Sequence, residues 1–191
     1  FTILTVLNTD IFYNYEYAFY DSHLVSEFEK FKSHYFRFST KPFDFLNIQA
    51  GLGTGNEIAY REEIPELGDR FSFNTSIEVT LNNNLRIKPS VNFSRLKKLD
   101  SQEYFFDGYI ARFDIRYQFT SSLNLRVISE YNEFSDQFFV QPLISWRPNS
   151  DTIFYLGGNQ NYIDEFVDYN SPNYRVNKSQ LFLKFQYLIK S

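Results

Sequence analysis

The sequence contains no cysteine and no methionine, and its 191 residues include only 7 Gly and 6 Pro. Without cysteine there is neither a disulfide framework nor a thiol redox site. With only two histidines, His23 and His34, no Cys/His zinc set can be assembled. A chain of this length can bury a core without such staples, and none is needed. A basic excess is missing too: 19 Lys and Arg stand against 23 Asp and Glu, for a net charge of −4. That balance does little to neutralise phosphates, so nucleic acid is not an expected partner. No apolar run reaches the roughly 18 residues of a transmembrane helix. The chain starts at Phe1 with neither a basic leader nor an initiator Met, so any signal peptide is expected to be removed or to lie outside it. Aromatic residues are abundant instead, at 20%, with 23 Phe and 15 Tyr. Disordered chains are poor in these residues, so a folded chain is expected.

The dominant pattern has a period of two. Phe71, Phe73, Thr75, Ile77, Val79 and Leu81 alternate with Ser72, Asn74, Ser76, Glu78, Thr80 and Asn82. Tyr109 to Phe119 and Leu123 to Tyr131 repeat the pattern. Successive strand residues point to opposite faces, so each segment has one apolar and one polar face. Clean helical spacing is absent, and the chain reads as all-β. About ten strands are predicted, over 2–17, 23–40, 45–59, 70–81, 85–98, 104–119, 123–133, 137–147, 152–161 and 179–190. Asn82-Asn83-Asn84, Thr120-Ser121-Ser122 and Pro148-Asn149-Ser150-Asp151 are tight polar turns. Longer polar connections, Arg61 to Asp69, Leu99 to Glu103 and Asn161 to Lys178, alternate with them. An antiparallel up-and-down meander over a single domain, 1–191, is the expectation.

Period two does not say which face is inside, because a soluble β-sandwich shows it as well. Three features favour part of a transmembrane outer-membrane β-barrel. The strands reach the 9–11 residues or so that a tilted spanning strand requires. Short turns at one end and long loops at the other fit bacterial barrels. Aromatics gather at strand ends, Tyr104, Phe105, Phe106 and Tyr109 at one and Tyr117 and Phe119 at the other, as in interfacial girdles.

Two stretches carry a family resemblance, Phe113 to Gln160 and the tail Ser179 to Ser191. The likeness lies in a Leu-rich strand, a short turn, the strand end Tyr131-Asn132-x-Phe134, and the hairpin from Trp146 to Gly157. They resemble the C-terminal part of an uncharacterised family of Bacteroidota outer-membrane proteins. Members carry an N-terminal sandwich like carbohydrate-binding modules of family 9, followed by a barrel. The resemblance implies that this chain is the C-terminal part of a larger barrel and that sugar-binding residues lie outside it. The last strand, with Leu181, Leu183, Phe185, Tyr187 and Ile189 alternating with polar residues, is similar to a barrel's C-terminal targeting strand, although it ends in Lys190-Ser191.

Catalytic signals are thin, and no enzyme is expected. Ser33, His34 and Asp44 could be written as a triad, but strand neighbours face opposite ways and no nucleophile elbow surrounds the serine. Gly51-Leu52-Gly53-Thr54-Gly55-Asn56 has the glycine content of a phosphate loop without the helix that such a loop opens, so strand glycines are the plainer account. The acidic residues Glu62, Glu63, Glu66, Asp69, Asp164, Glu165 and Asp168 read as solvated loops, because they lack calcium-loop spacing. No cofactor or metal is implied.

The polar face holds the richer constellation. With Phe119 opposite Leu123, Arg116 faces Arg126 and Arg112 faces Glu130, with Asp114 between them. With Leu81 opposite Leu85, Glu78 faces Lys88. Cross-strand neighbours lie about 4.5–5.5 Å apart at Cβ, within ion-pair reach. This set is either a network stiffening a barrel interior or a charged lumen that selects solutes. The expected function is a membrane anchor or pore component for a surface or periplasmic module, carbohydrate-related if the resemblance holds. Its partners would be outer-membrane lipid, the barrel assembly machinery and other outer-membrane proteins. An outer-membrane hydrolase with its site at the barrel mouth and a soluble binding sandwich are the alternatives.

Overall fold

Alternating sequence becomes strand along nearly all of the chain described by the computed structural model, which covers residues 4–6, 8–20, 28–62, 64–164 and 174–188. The strands are β1 (Leu4–Val6), β2 (Thr9–Tyr20), β3 (Phe28–Phe43), β4 (Leu46–Ala59), β5 (Glu66–Leu81), β6 (Leu85–Lys98), β7 (Tyr104–Gln118), β8 (Leu123–Asn132), β9 (Gln137–Asn149), β10 (Thr152–Asp164) and β11 (Tyr174–Tyr187). Their order in the sheet is their order in the chain, an antiparallel meander. Among the described residues β1 and β11 are not neighbours, so the sheet is open.

The predicted strand 2–17 is in fact a hairpin. Leu4 pairs with Ile11 and Val6 with Thr9, and Asn8 takes a left-handed conformation (φ 58°) between them. Asparagine tolerates that region better than branched residues do, and this lets the chain reverse there. Two of the predicted long connections are also shorter than expected. β5 starts at Glu66, and β10 runs to Asp164 past a bulge between Asn161 and Tyr162. Of the residues singled out in the sequence, His23, Glu63, Glu165, Asp168, Ile189, Lys190 and Ser191 lie outside the described residues.

The tight turns hold together through their own side chains. Thr120 Oγ1 accepts from the amides of Ser122 and Leu123, at 3.2 and 3.0 Å. Asn149 Oδ1 accepts from the Asp151 amide at 3.0 Å. Between β8 and β9, Asn132 Oδ1 caps the single 3-10 turn Glu133–Ser135 by accepting from the Phe134 amide. Short polar side chains that satisfy nearby backbone donors are what turns of this kind require.

The chain divides into two compact units, one formed by Phe1–Ile77 and Ser90–Tyr109, the other by Glu78–Pro89 and Ile110–Ser191. In the first, Arg95 lies over the Phe71 ring at 5.1 Å and Phe71 packs edge-on against Phe93. Leu96 is buried to 1% exposure, with Gly68 packed against it.

The second unit leaves apolar side chains in the middle of β7 and β9 more exposed than the polar-face residues beside them. Its apolar face runs across the strands through Phe113, Tyr117, Ile144, Trp146, Leu156, Leu183 and Phe185, all exposed. Phe113 is 44% exposed, whereas the side chain of Asp114, next to it, is 13% exposed. On the polar face Ile128 is buried directly opposite Asp114.

Candidate functional site

Register places the charges. β7 and β8 pair with Gln118 opposite Asn124, so Arg116 stands opposite Arg126 and Arg112 opposite Glu130. Directly opposed residues share a face, so these four and Asp114 all lie on the polar side. Two guanidinium groups facing each other would repel, and Asp114, two residues before Arg116 on the same face, lies between them. Its carboxylate accepts from Arg116 Nε and Nη2, both at 3.2 Å, and from Arg126 Nη2, also at 3.2 Å. The two-pronged contact with Arg116 is the geometry in which guanidinium and carboxylate fit best. Further along the same two strands, Arg112 Nη1 donates to Glu130 Oε2 at 3.3 Å.

The expected pairing of Glu78 with Lys88 does not form. Glu78 Oε1 instead meets Arg86 Nε at 3.5 Å, and Lys88 makes no ion pair among the described residues. From two residues nearer the turn, the planar Arg86 guanidinium meets the carboxylate in place of the Lys88 ammonium, the diagonal contact winning over the directly opposed one. Nothing in the alternation pattern separates these two cations, since both fall on the same face.

Arg86, Arg116 and Arg126 thus converge on one concavity of about 440 Å³ at the tight-turn end of the unit, lined also by Asn84, Asn124 and Ser145. Asn84 ties this end together, donating from Nδ2 to the Gln118 carbonyl at 3.0 Å and accepting from the Gln118 amide at 2.8 Å. Arg126 Nε is buried and has no hydrogen-bond acceptor. Arg86 went unnamed in the sequence reading, and alternation offers no signal that would prefer it over Lys88 on the same face.

The remaining candidates are dispersed. His34 lies on the aromatic face, its Nδ1 2.8 Å from the Tyr13 hydroxyl and its ring 4.8 Å from that of Tyr15. Ser33 alternates to the opposite face, and Asp44 pairs with Lys41 at the β3–β4 turn, at 3.6 Å. The three do not meet. The glycine-rich stretch lies inside β4 and pairs with β3, Tyr35 opposite Gly53 and Arg37 opposite Gly51. A Cβ on Gly51 would sit 2.7 Å from the Tyr35 hydroxyl, so these glycines make room for a tyrosine on the polar face. Gly55 has φ 149°, a conformation that L side chains rarely adopt. Beside it Arg70 Nε meets Glu57 Oε2 at 3.3 Å and Asn56 donates to Asp69 at 3.1 Å.

No protein-family description, no curated protein and no solved structure matches the chain.

Proposed function

We propose that the chain is part of a bacterial outer-membrane β-barrel that serves as an anchor or pore component for a surface or periplasmic module. The observation that carries this reading is the exposed apolar face of β7 and β9 in the second unit, with Phe113 more exposed than the charged side chain of Asp114 beside it. In water such a face would cost about 25 cal/mol for each Å² of apolar surface left wet, and lipid removes that cost. In lipid the backbone must satisfy itself, which a meander of paired strands does until only its two outer strands need partners. Strands of 10 to 16 residues from β2 onward meet or exceed the roughly 9–11 residues a tilted strand needs. The resemblance of Phe113–Gln160 and Ser179–Ser191 to a barrel family with a family 9-like sandwich supports the same reading and suggests a carbohydrate-related module. Short turns such as Thr120-Ser121-Ser122 would face the periplasm and the longer connections the outside.

Trp146 is the chain's only tryptophan, and it provides a built-in test. It lies on the apolar face, stacked on Phe154 at 5.3 Å and opposite Leu123, close to the tight-turn end. After refolding into vesicles its emission is expected to shift to the blue. Lipids brominated near the headgroup should quench it more than lipids brominated at the chain ends, as for an interfacial tryptophan. Water-like emission, no quenching and a monomer that needs no detergent would refute the membrane reading in favour of a soluble sheet protein.

A further inference from the structure

From the convergence of Arg86, Arg116 and Arg126 on one concavity we infer a binding site for a small oxyanion, the phosphate or carboxylate group of a solute. The three guanidinium groups face two carboxylates, Glu78 and Asp114, which leaves one positive charge in excess. Donors are also in excess. Asp114 accepts three of the arginine N–H groups and Glu78 makes an ion pair with Arg86 at 3.5 Å, so the remaining guanidinium N–H groups of the three arginines have no protein acceptor among the described residues. A guanidinium donor is satisfied better by an anionic oxygen than by a neutral one. The opening of about 440 Å³ admits a small solute, and Asn124 and Ser145 offer neutral hydrogen-bonding groups on its wall. The Arg112–Glu130 pair next to it is balanced and would contribute no net attraction. A purely structural network would be expected to match each cation with an anion, and this end of the face does not. The site depends on the polar face alone and stands whether or not that face lines a membrane channel.

The test is calorimetric titration of the refolded chain with inorganic phosphate, acetate and chloride as separate probes. Saturable binding of phosphate or acetate, with chloride weaker, is expected; whichever of the two binds more tightly names the solute class. Arg86→Gln and Arg126→Gln should each weaken binding about tenfold, the loss of one charge-assisted contact. Lys184→Gln removes the same charge from a side chain lying over Tyr155, outside the concavity, and should leave binding unchanged. Arg86→Gln leaves every contact of Asp114 in place, so it reports on binding even if Arg126→Gln disturbs folding. Absence of saturable binding, equal binding of chloride, or equal losses in all three variants would overturn the inference. Running the titration both with and without detergent separates it from the membrane reading: a chain soluble without detergent that still binds phosphate sinks only the latter.

Discussion

Replacing Asp114 with alanine is the most direct probe of how the polar face is held. The carboxylate accepts three hydrogen bonds from two guanidinium groups that stand directly opposite each other. Its removal leaves Arg116 and Arg126 facing across the strand pair with nothing between them, beside the buried Ile128. Removing one partner of a fully buried ion pair costs about 3–5 kcal/mol. Here the arginine side chains are 53% and 37% exposed, so water takes back part of their charge. That discount places the expected loss at about 2–3 kcal/mol. Urea unfolding followed by Trp146 emission reads it: with a slope of about 2 kcal/mol per M, the midpoint should fall by about 1 M. Asp114→Ala combined with Arg126→Gln should regain part of the loss, because the repulsion goes with the second charge. A midpoint unchanged within about 0.2 M in the single variant would refute the account, showing that these surface-screened pairs contribute nothing measurable.

Two further outcomes test the faces and the packing. Phe113→Arg should weaken folding into vesicles by about 2–4 kcal/mol, since an arginine on a lipid face loses water and gains no partner; a nearly neutral effect in vesicle-refolding titrations would place Phe113 in contact with water. Gly68→Ala should destabilise by about 1–3 kcal/mol through overpacking, because its Cβ would lie 2.7 Å from the Lys97 carbonyl oxygen and 2.9 Å from Leu96, and the backbone atom cannot rotate away. Thermal or urea unfolding checks it, and wild-type stability in that variant would mean that β5 and β6 separate there freely.

How much of this was legible in the one-dimensional chain follows from what each feature depends on. Alternation is local, so the two faces of β5, β7 and β8 and the turns at Asn82–Asn84 and Thr120–Ser122 could be read directly. The β7–β8 register followed as well, because a short turn leaves only one pairing that keeps like faces together. The reversal at Asn8 had a signal that alternation alone passes over, the polar run Asn8-Thr9-Asp10, because counting a period of two does not weigh turn residues. Which cation meets Glu78 was hidden: Arg86 and Lys88 share a face, and only three-dimensional reach decides between them. The sequence by itself determined that this chain makes long two-faced strands in a meander. Only the tertiary structure decided that, in the middle of β7 and β9, the apolar side chains are the more exposed ones and that three arginines meet on the other face over two carboxylates. Periodicity records that a face differs from its opposite, whereas burial and diagonal contacts depend on how neighbouring strands curve and cross, which no single strand encodes.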